Sequence, residues 1–412
     1  MGTVVIDIRS NHDTGVARYG LSLLKALVPR IADHDLRLVI VTTPAHAERA
    51  HSAVASGSPS LIRIEVCPDE EGFVRRSPWV KDLIIASHAD LFFTTHYSVA
   101  RDCPVPFVVT IHDLTRLRFP DASYSDESFA ASFGEQELAL LDGELQALSV
   151  WDEPIRGGHE SRFVRYFWAF NRFLAARAMR VVTVSAASAA DLRTVLDIPR
   201  ERISVVPAGV DIGAFHPRPA SAVARLRRRY GLSGPFCLYV GLTHPHKRFP
   251  WLVRSLLERR KALPQEAKLV AVGGYAEHTP GIHDLITELQ GQDFVVFTGR
   301  VTDEDLATLY SCAAALLISS LNEGGGLPGI EALACRCEVI ATDIPALRET
   351  LGEFAHFYAP SDAETLVRLT AAALDERLGH RAASFSPPRW EDAGARLVEV
   401  LGIALTKRSS SY

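Results

Sequence analysis

The chain has 412 residues, about twice the length of a typical domain, so two domains with separate hydrophobic cores are expected. Hydrophobic residues make up 47% and charged residues 23%, the balance of an ordinary soluble globular protein. A formal charge of −5 argues against a general binder of nucleic acid or of anionic membranes, which would carry basic patches. No apolar run approaches the roughly 20 residues that span a bilayer.

The N-terminus and the cysteines indicate the cellular compartment. The first seven residues lead directly into a strand-like stretch, and no signal peptide precedes it. The six cysteines are scattered, and only Cys335 and Cys337 are close together, at a spacing that is not typical of zinc sites. We therefore predict that these two cysteines are buried, that the thiols are reduced and that the protein is cytoplasmic.

Short β-branched runs alternate with longer amphipathic stretches, the pattern of a doubly wound α/β sheet. In the first half, the predicted strands are 4–8, 37–41, 61–66, 91–95, 107–111 and 181–185. Helices are predicted over 16–28 and 188–196. A further strand within 203–211, followed by Pro207 and Gly209, is expected to end the first domain.

The second half repeats this alternation. Its predicted strands are 236–240, 268–272, 294–297, 315–319 and 338–341, with helices between them, for example over 251–260 and 303–311. The fold class is therefore α/β, with two Rossmann-like domains that face each other across a ligand-binding cleft. The first domain is predicted to cover 1–208 and the second 209–384.

The most informative stretch is 319–335, which reads SSLNEGGGLPGIEALAC. A buried strand ends near Glu323, passes through three glycines and opens a helix that carries Glu331 eight positions later. Glycines let the backbone approach a ligand closely, and the amides at the start of a helix attract phosphate. A carboxylate can accept two hydrogen bonds from a vicinal diol such as that of a ribose. The alternative is a plain strand-to-helix turn with two solvated acids.

The same stretch also matches a dinucleotide-binding pattern. Residues 324–329 satisfy G-x-G-x-x-G between a strand and a helix, and Asp343 lies near the right distance for a ribose contact. However, the motif is in the second domain, and Glu323 would face the pyrophosphate of a dinucleotide unfavourably. We therefore favour recognition of sugar hydroxyls.

The E-x7-E arrangement of Glu323 and Glu331 resembles the signature of the retaining, GT-B-fold glycosyltransferase family 4. Further segments resemble this family in the same order along the chain, at 15–19, 110–114, 118–120, 184–185, 191–192, 206–211, 239–247, 299–306 and 344–349. The resemblance implies an N-terminal acceptor domain, a C-terminal donor domain and a last segment, 385–412, whose helix crosses back to the first domain. It also implies a nucleoside-diphosphate sugar as donor, a small-molecule hydroxyl as acceptor and retention of anomeric configuration.

The resemblance also assigns roles to individual residues. Glu331 is expected to bind the ribose hydroxyls and Glu323 the hydroxyls of the donor sugar near C3. Lys247 is expected to neutralise the diphosphate, and His112 to lie beside the reacting sugar. The catalytic group is thus His112, Glu323 and Lys247.

Other positions are expected to contact the donor mainly through their backbone. These are Gly15 and Gly241 near the phosphates, Gly325, Gly326 and Leu327 at the sugar and distal phosphate, and Arg300 and Val301 at the base edge. Leu242 replaces the usual Arg or Asn of the family, so Arg248 is expected to substitute for the lost contact. His96 and Asp113 are candidates on the acceptor side. Departures at Gly325, Arg336 and Glu338 leave the identity of the sugar and base open.

No obvious pair of carboxylates is available for a double displacement, so the leaving diphosphate oxygen is expected to act as the base. Two D-x-D strings, at 33–35 and 303–305, could be misread as metal sites. The second begins a helix after Thr302, where acids complement the helix dipole. We expect neither a metal nor another cofactor.

Residues 121–160 interrupt the family pattern like an insertion. Apolar residues at helical spacing predict an amphipathic helix, with Phe129, Phe133, Leu140, Leu141, Leu145 and Leu148 on its apolar side. The segment contains ten acids and one base, Arg156, for a local charge of −9. It could cover the acceptor side, where Asp152 and Glu153 are candidates, or form a contact between subunits of a homo-oligomer. One hypothesis is a cationic acceptor such as an amino sugar or aminocyclitol of antibiotic biosynthesis; a solvated helix face is the alternative.

Two other functions remain open at this point. One is a sugar-nucleotide epimerase or phosphorylase of the same fold. The other is a sugar-nucleotide sensor that has lost turnover. No nucleic-acid partner and no integral membrane association are expected.

Overall fold

A computed structural model describes residues 2–9, 14–68, 78–148, 161–274, 279 and 281–409. The chain divides into two compact units. The N-terminal unit consists of Met1–Gly209 together with Arg389–Tyr412, and the C-terminal unit is Val210–Pro388.

The N-terminal unit is built on a seven-stranded sheet in which every pairing is parallel. Its strands are β1 (Gly2–Asp7), β2 (Leu36–Thr42), β3 (Ile62–Val66), β4 (Leu91–Thr94), β5 (Phe107–Thr110), β6 (Arg180–Thr183) and β7 (Ile203–Val205). Their order across the sheet is β3-β2-β1-β4-β5-β6-β7. The strands predicted in this half are confirmed, with ends that differ by a few residues. Parallel strands covered on both faces carry continuous apolar runs, and β4 and β5 are buried along their whole length.

Helices join these strands. They are α1 (Gly15–Leu27), α2 (Ala47–Val54), α3 (Pro78–Ala86), α4 (Thr115–Arg118), α5 (Asp126–Phe133), α6 (Glu135–Ala147), α7 (Arg162–Arg177) and α8 (Ala186–Leu196). In α1, Tyr19, Leu23 and Leu27 recur every four residues and are all buried, which is why this segment forms a core-facing helix.

The acidic segment differs from its prediction. Instead of one amphipathic helix, the structure has two, α5 and α6, separated at Gly134, whose φ of +97° lies outside the helical region. Phe129 and Leu141 are fully buried and belong to the same core as Phe163 of α7, whereas Leu140 is 40% exposed. This part of the segment is therefore integral to the core of the N-terminal unit. Residues 149–160 lie outside the described part of the chain.

The C-terminal unit contains a six-stranded, entirely parallel sheet. Its strands are β8 (Phe236–Val240), β9 (Lys268–Val272), β10 (Val295–Gly299), β11 (Ala315–Ile318), β12 (Val339–Thr342) and β13 (Ala355–Tyr358). Their order, β10-β9-β8-β11-β12-β13, is the 3-2-1-4-5-6 order of dinucleotide-binding folds. Five of the six strands were predicted; β13 was not.

The helices of this unit alternate with its strands. They are α9 (Ala220–Arg229), α10 (Phe249–Glu258), α11 (Ile282–Glu288), α12 (Asp303–Cys312), α13 (Leu327–Ala334), α14 (Pro345–Leu351) and α15 (Ala363–Leu374). Cys335 and Cys337 are buried in the core as predicted, and all six cysteines are free thiols.

The last helix, α16 (Trp390–Ser409), is part of the N-terminal unit and packs along α1. The contact is tight because Gly394 has no side chain. A Cβ placed on Gly394 would lie 2.5 Å from the backbone oxygen of Ala26. On the same helix, a Cβ on Gly402 would meet nothing within 4 Å. No described helix combines the length and the apolar character needed to cross a membrane.

These two glycines make a matched pair of variants. Gly394→Ala should lower stability by about 1–3 kcal/mol because two helix backbones must separate. Gly402→Ala should be neutral or raise stability by up to about 1 kcal/mol, since alanine restricts the unfolded chain. Thermal unfolding of both variants measures the difference, and equal melting temperatures would contradict the packing of α16 on α1.

Candidate functional site

Two loops at the carboxyl ends of strands in the C-terminal unit contain glycines that let the backbones come close together. Gly241, with a φ of +139°, directly follows β8, and Gly273, with a φ of +124°, directly follows β9. A Cβ on Gly273 would lie 2.4 Å from the carbonyl oxygen of Gly241, so glycine is needed for this close approach. The carboxyl edge of such a sheet is where ligands of α/β proteins bind.

The structure brings Lys247 and Glu323 together. After β8, Pro245–Lys247 forms a short 3-10 helix, and the Nζ of Lys247 donates to Oε1 of Glu323 at 2.6 Å. The two side chains are only 25% and 12% exposed, so they form a partly buried ion pair. Two residues 76 positions apart, predicted from separate motifs, thus form one cluster.

Two serines that sequence reasoning did not select hold this pair in place. Ser320 donates its hydroxyl to the same Oε1 of Glu323 at 2.6 Å, and Ser319 donates to the backbone carbonyl of Lys247 at 2.7 Å. The amide of Leu321 also donates to the carbonyl of His246 at 2.8 Å, which fastens the loop after β8 to the end of β11. Both serines stand in the motif at 319–335, but spacing alone does not show where their hydroxyls point.

Helix α13 begins where the glycine run ends. Gly326 has a φ of +62°, and a Cβ there would lie 2.6 Å from Cδ2 of Leu347, so both conformation and space require glycine. Glu331, the fifth residue of α13, is only 4% exposed. Since Glu323 is also largely covered, the alternative of two solvated acids does not hold.

Arg248, which follows Lys247 and is another predicted donor contact, is engaged by other groups of the protein. The guanidinium of Arg248 donates to the carbonyl of Pro360 and lies 4.1 Å from the centre of the Trp251 ring. Burial lowers the pKa of Arg248. A phosphate contact from Arg248 would therefore require it to leave these partners, and that role stays a prediction.

The base-edge positions follow β10, and the sugar-facing positions flank Gly326 at the start of α13. Arg300 is exposed and Val301 half-buried, directly after β10. Gly325 and Leu327 are half-buried on either side of Gly326. Their contacts with a donor stay predictions.

In the N-terminal unit, His112 follows β5 and is held by Thr95. Its Nε2 lies 2.8 Å from the carbonyl oxygen of Thr95, so this nitrogen carries the proton. The edge of the Tyr19 ring packs on the imidazole, with 5.0 Å between ring centres. Burial lowers the pKa of His112, against the raising effects of the Thr95 carbonyl and of Asp113. The neutral ring therefore keeps Nδ1 as a hydrogen-bond acceptor.

The remaining candidates of this unit are more scattered. His96 lies 6.5 Å from His112 between ring centres, and Asp113 accepts the amide of Thr115 at the start of α4. Gly15 is exposed at the start of α1. Asp152 and Glu153 lie outside the described residues.

One buried ion pair was missed. Asp7, at the end of β1, and Arg9 are 1% and 4% exposed, and Arg9 bonds both carboxylate oxygens at 2.7–3.1 Å. The sequence did contain a signal for this pair, namely two opposite charges at the end of an apolar strand. Arg9 also donates to the Sγ of Cys67.

The D-x-D string at 303–305 has a structural explanation. It forms the first turn of α12, a helix start that was predicted from the sequence, and the hydroxyl of Thr302 accepts a hydrogen bond from the amide of Asp305 at 3.1 Å. Asp305 also pairs with Arg229 at 2.8 Å. Within the described ranges, no group of three or more His, Cys, Asp or Glu side chains could hold a metal ion.

The lowered pKa of His112 leads to a testable expectation. The ordinary pKa of histidine is 6.5, so His112 should stay neutral below this pH while the unfolded chain takes up a proton. Stability should consequently fall as the pH drops below 6.5, and His112→Gln should lose less stability than wild type between pH 7 and pH 5.5. An NMR titration that places the pKa of His112 at or above 6.5 would contradict this.

Two family models match this chain. The model for Glycosyltransferase Family 4 matches residues 14–214, and the model for Glycosyl transferases group 1 matches residues 225–386. Together they cover most of both units.

Individual proteins agree with these matches. The MMP alpha-(1->4)-mannosyltransferase of Mycolicibacterium hassiacum is 29% identical over 277 residues, 64% of this chain and 62% of that protein. The O-antigen chain mannosyltransferase RfbU of Salmonella typhimurium is 28% identical over 297 residues, 68% of this chain and 78% of that protein. The matched stretch thus spans less than two thirds of the Mycolicibacterium enzyme.

Among solved structures, Anabaena HepE in complex with UDP and glucose superposes with a TM-score of 0.65 at 15% identity, covering 100% of both chains. This similarity supports the fold. The two family models show that the chain belongs to glycosyltransferase family 4, and the two Rossmann-like sheets give it the GT-B fold.

Proposed function

We propose that this protein transfers a sugar from a nucleoside-diphosphate sugar to a hydroxyl of a small acceptor, with retention of anomeric configuration. The observation that carries the proposal is the pairing of Lys247 with Glu323 next to the glycine-rich start of α13, with Glu331 buried one turn further on. A cation, open helix amides and two shielded carboxylates match a diphosphate flanked by two sets of hydroxyls.

In the proposed complex, the diphosphate lies at the start of α13. Glu331 accepts hydrogen bonds from the ribose hydroxyls, and Glu323 accepts them from the donor sugar. Lys247 and the amides near Gly326 stabilise the charge that develops as the diphosphate leaves. The backbone at Arg300 then pairs with the base edge.

The proposed reaction needs no carboxylate nucleophile. A diphosphate oxygen takes the proton of the acceptor hydroxyl as the glycosidic bond to the diphosphate breaks, and the new bond forms on the same face of the sugar. The protein contributes position and electrostatic stabilisation. The neutral His112 accepts a hydrogen bond from a sugar hydroxyl through Nδ1, because Thr95 fixes the proton on Nε2.

Mannosyl donors are the first candidates to test, because both relatives described above are named mannosyltransferases.

The structure says less about the acceptor than about the donor. Asp126 and Asp142 pair with Arg162, and Glu144 pairs with Arg101, so three of the ten acids in 121–160 are neutralised by arginines outside that segment. A cationic acceptor is therefore only a secondary hypothesis.

A panel of nucleotide sugars and their diphosphates in a thermal-shift assay tests the proposal. At least one nucleoside diphosphate should raise the melting temperature, and its sugar donor should be hydrolysed slowly without acceptor. An epimerase would interconvert the donor sugar with no acceptor, and a sensor would bind the donor without turnover. A folded protein that no nucleotide sugar stabilises would overturn the proposal.

Replacement of Glu331 and replacement of Glu323 should have different effects on diphosphate binding and on turnover. Glu331→Ala should weaken binding of the free diphosphate by roughly 1.5–3 kcal/mol, because a charged bidentate partner of the ribose is lost. Glu323→Ala should leave diphosphate binding intact but reduce turnover, since its partner is the sugar. Calorimetry measures the first effect and donor hydrolysis the second. If both variants bind the diphosphate like wild type, the ribose assignment is wrong.

Activity should survive removal of divalent cations by EDTA, because Lys247 and the amides of α13 supply the positive charge. The rate of donor hydrolysis is measured before and after dialysis against EDTA. Complete loss of activity that magnesium or manganese restores would contradict this assignment.

A further inference from the structure

The two hydrogen bonds to Glu323 converge on one oxygen. Lys247 and Ser320 both donate to Oε1 at 2.6 Å, and no hydrogen bond from the described part of the chain reaches Oε2. A carboxylate oxygen offers about two lone-pair sites, so Oε1 is saturated. In this state Glu323 can offer only Oε2 to a ligand.

Lys247 is the partner that a nucleotide would draw away. A diphosphate carries more negative charge than the single carboxylate, and the Lys247 side chain is 25% exposed, so its ammonium group can turn towards the phosphates. If the ammonium leaves, Oε1 regains a lone pair. Glu323 can then present both oxygens, so that two adjacent sugar hydroxyls each bind a different oxygen in a bidentate arrangement.

We propose that the Lys247–Glu323 pair is a gate that makes recognition of the donor sugar depend on the diphosphate. This rests on the proposed function. Binding of the diphosphate opens the second oxygen of Glu323, so sugar and diphosphate bind with positive coupling. By thermodynamic linkage, the sugar must strengthen diphosphate binding by the same factor.

The two neighbouring serines each contact a different member of the Lys247–Glu323 pair. Ser320, 2% exposed, positions the carboxylate of Glu323, whereas Ser319, 1% exposed, positions the backbone of Lys247 through its carbonyl. They are therefore positioning residues with separable effects. Because they are adjacent, equally buried and of the same type, each is a matched control for the other.

The test uses the full chain and two probe pairs, UDP with glucose and GDP with mannose. Calorimetry measures the Kd of each diphosphate with and without saturating sugar. Wild type should bind one diphosphate at least about fivefold more tightly in the presence of its sugar, within the usual range of couplings. Lys247→Met, which leaves Oε1 permanently open to the sugar, should reduce this factor to about one.

The serine variants distinguish a gate from a cluster that has only a structural role. Ser320→Ala should improve sugar binding without diphosphate and shrink the coupling, with diphosphate affinity unchanged, and Ser320→Thr should restore the coupling. Ser319→Ala should weaken diphosphate binding severalfold and keep the coupling. Melting temperatures verify that the variants fold.

Three results overturn the inference. If wild type binds a diphosphate but the sugar does not change its affinity, the gate is wrong while the proposed function still stands. The same holds if Ser319→Ala and Ser320→Ala change the same quantity. If folded wild type binds neither UDP nor GDP, alone or with sugar, the gate fails together with the proposed donor site.

Discussion

The short contact between Lys247 and Glu323 is the interaction on which the site depends. An ammonium and a carboxylate with little exposed surface are stable only if each stays paired or gains an equivalent partner, because an unpaired charge there is costly. The contact fastens the loop after β8 to the loop after β11, and the bond from Ser319 to the backbone of Lys247 reinforces that join. It therefore joins the loops that follow the two central strands of the C-terminal sheet, and in the proposed complex it supplies charges that bind a diphosphate sugar.

The sheet topology explains why two distant segments meet. β8 and β11 are neighbours in the strand order although two other strands, β9 and β10, lie between them in sequence. At this position the connections run to opposite sides of the sheet, which leaves room between the loops for a ligand. The Gly241 and Gly273 backbones approach each other, and Gly326 allows α13 to begin close to Leu347 of α14. In the N-terminal sheet, polar side chains likewise lie at the carboxyl ends of strands, with His112 after β5 and Asp7 at the end of β1.

Much of the fold could be predicted from the sequence because buried parallel strands are short runs of β-branched and aliphatic residues. Strands such as β8 and β9 match their predicted bounds. β13 was missed because Ala355–Tyr358, AHFY, is short and includes a histidine that bonds to the buried Glu338. The helices α5 and α6 were predicted as one because their apolar residues keep a helical spacing across Gly134, and only the backbone shows the break.

The site was predictable as a set of residues but not as a set of contacts. The E-x7-E spacing selected Glu323 and Glu331, and the sequence around Lys247 selected the lysine. That Lys247 and Ser320 share one oxygen of Glu323 depends on distances of 2.6 Å, which no spacing rule supplies. Arg248 illustrates the opposite case, since a basic residue at a plausible position is engaged by Pro360 and Trp251.

The most direct test of this account is an NMR measurement of the reaction in which the protein is given an α-linked nucleotide sugar and a hydroxyl acceptor. Signals of the anomeric proton report both the loss of the donor and the configuration of the new linkage. The account predicts release of the nucleoside diphosphate together with an α-linked product, and neither signal in Lys247→Ala. A β-linked product, or a product formed equally well by Lys247→Ala, would contradict the assignment of the chemistry to this site.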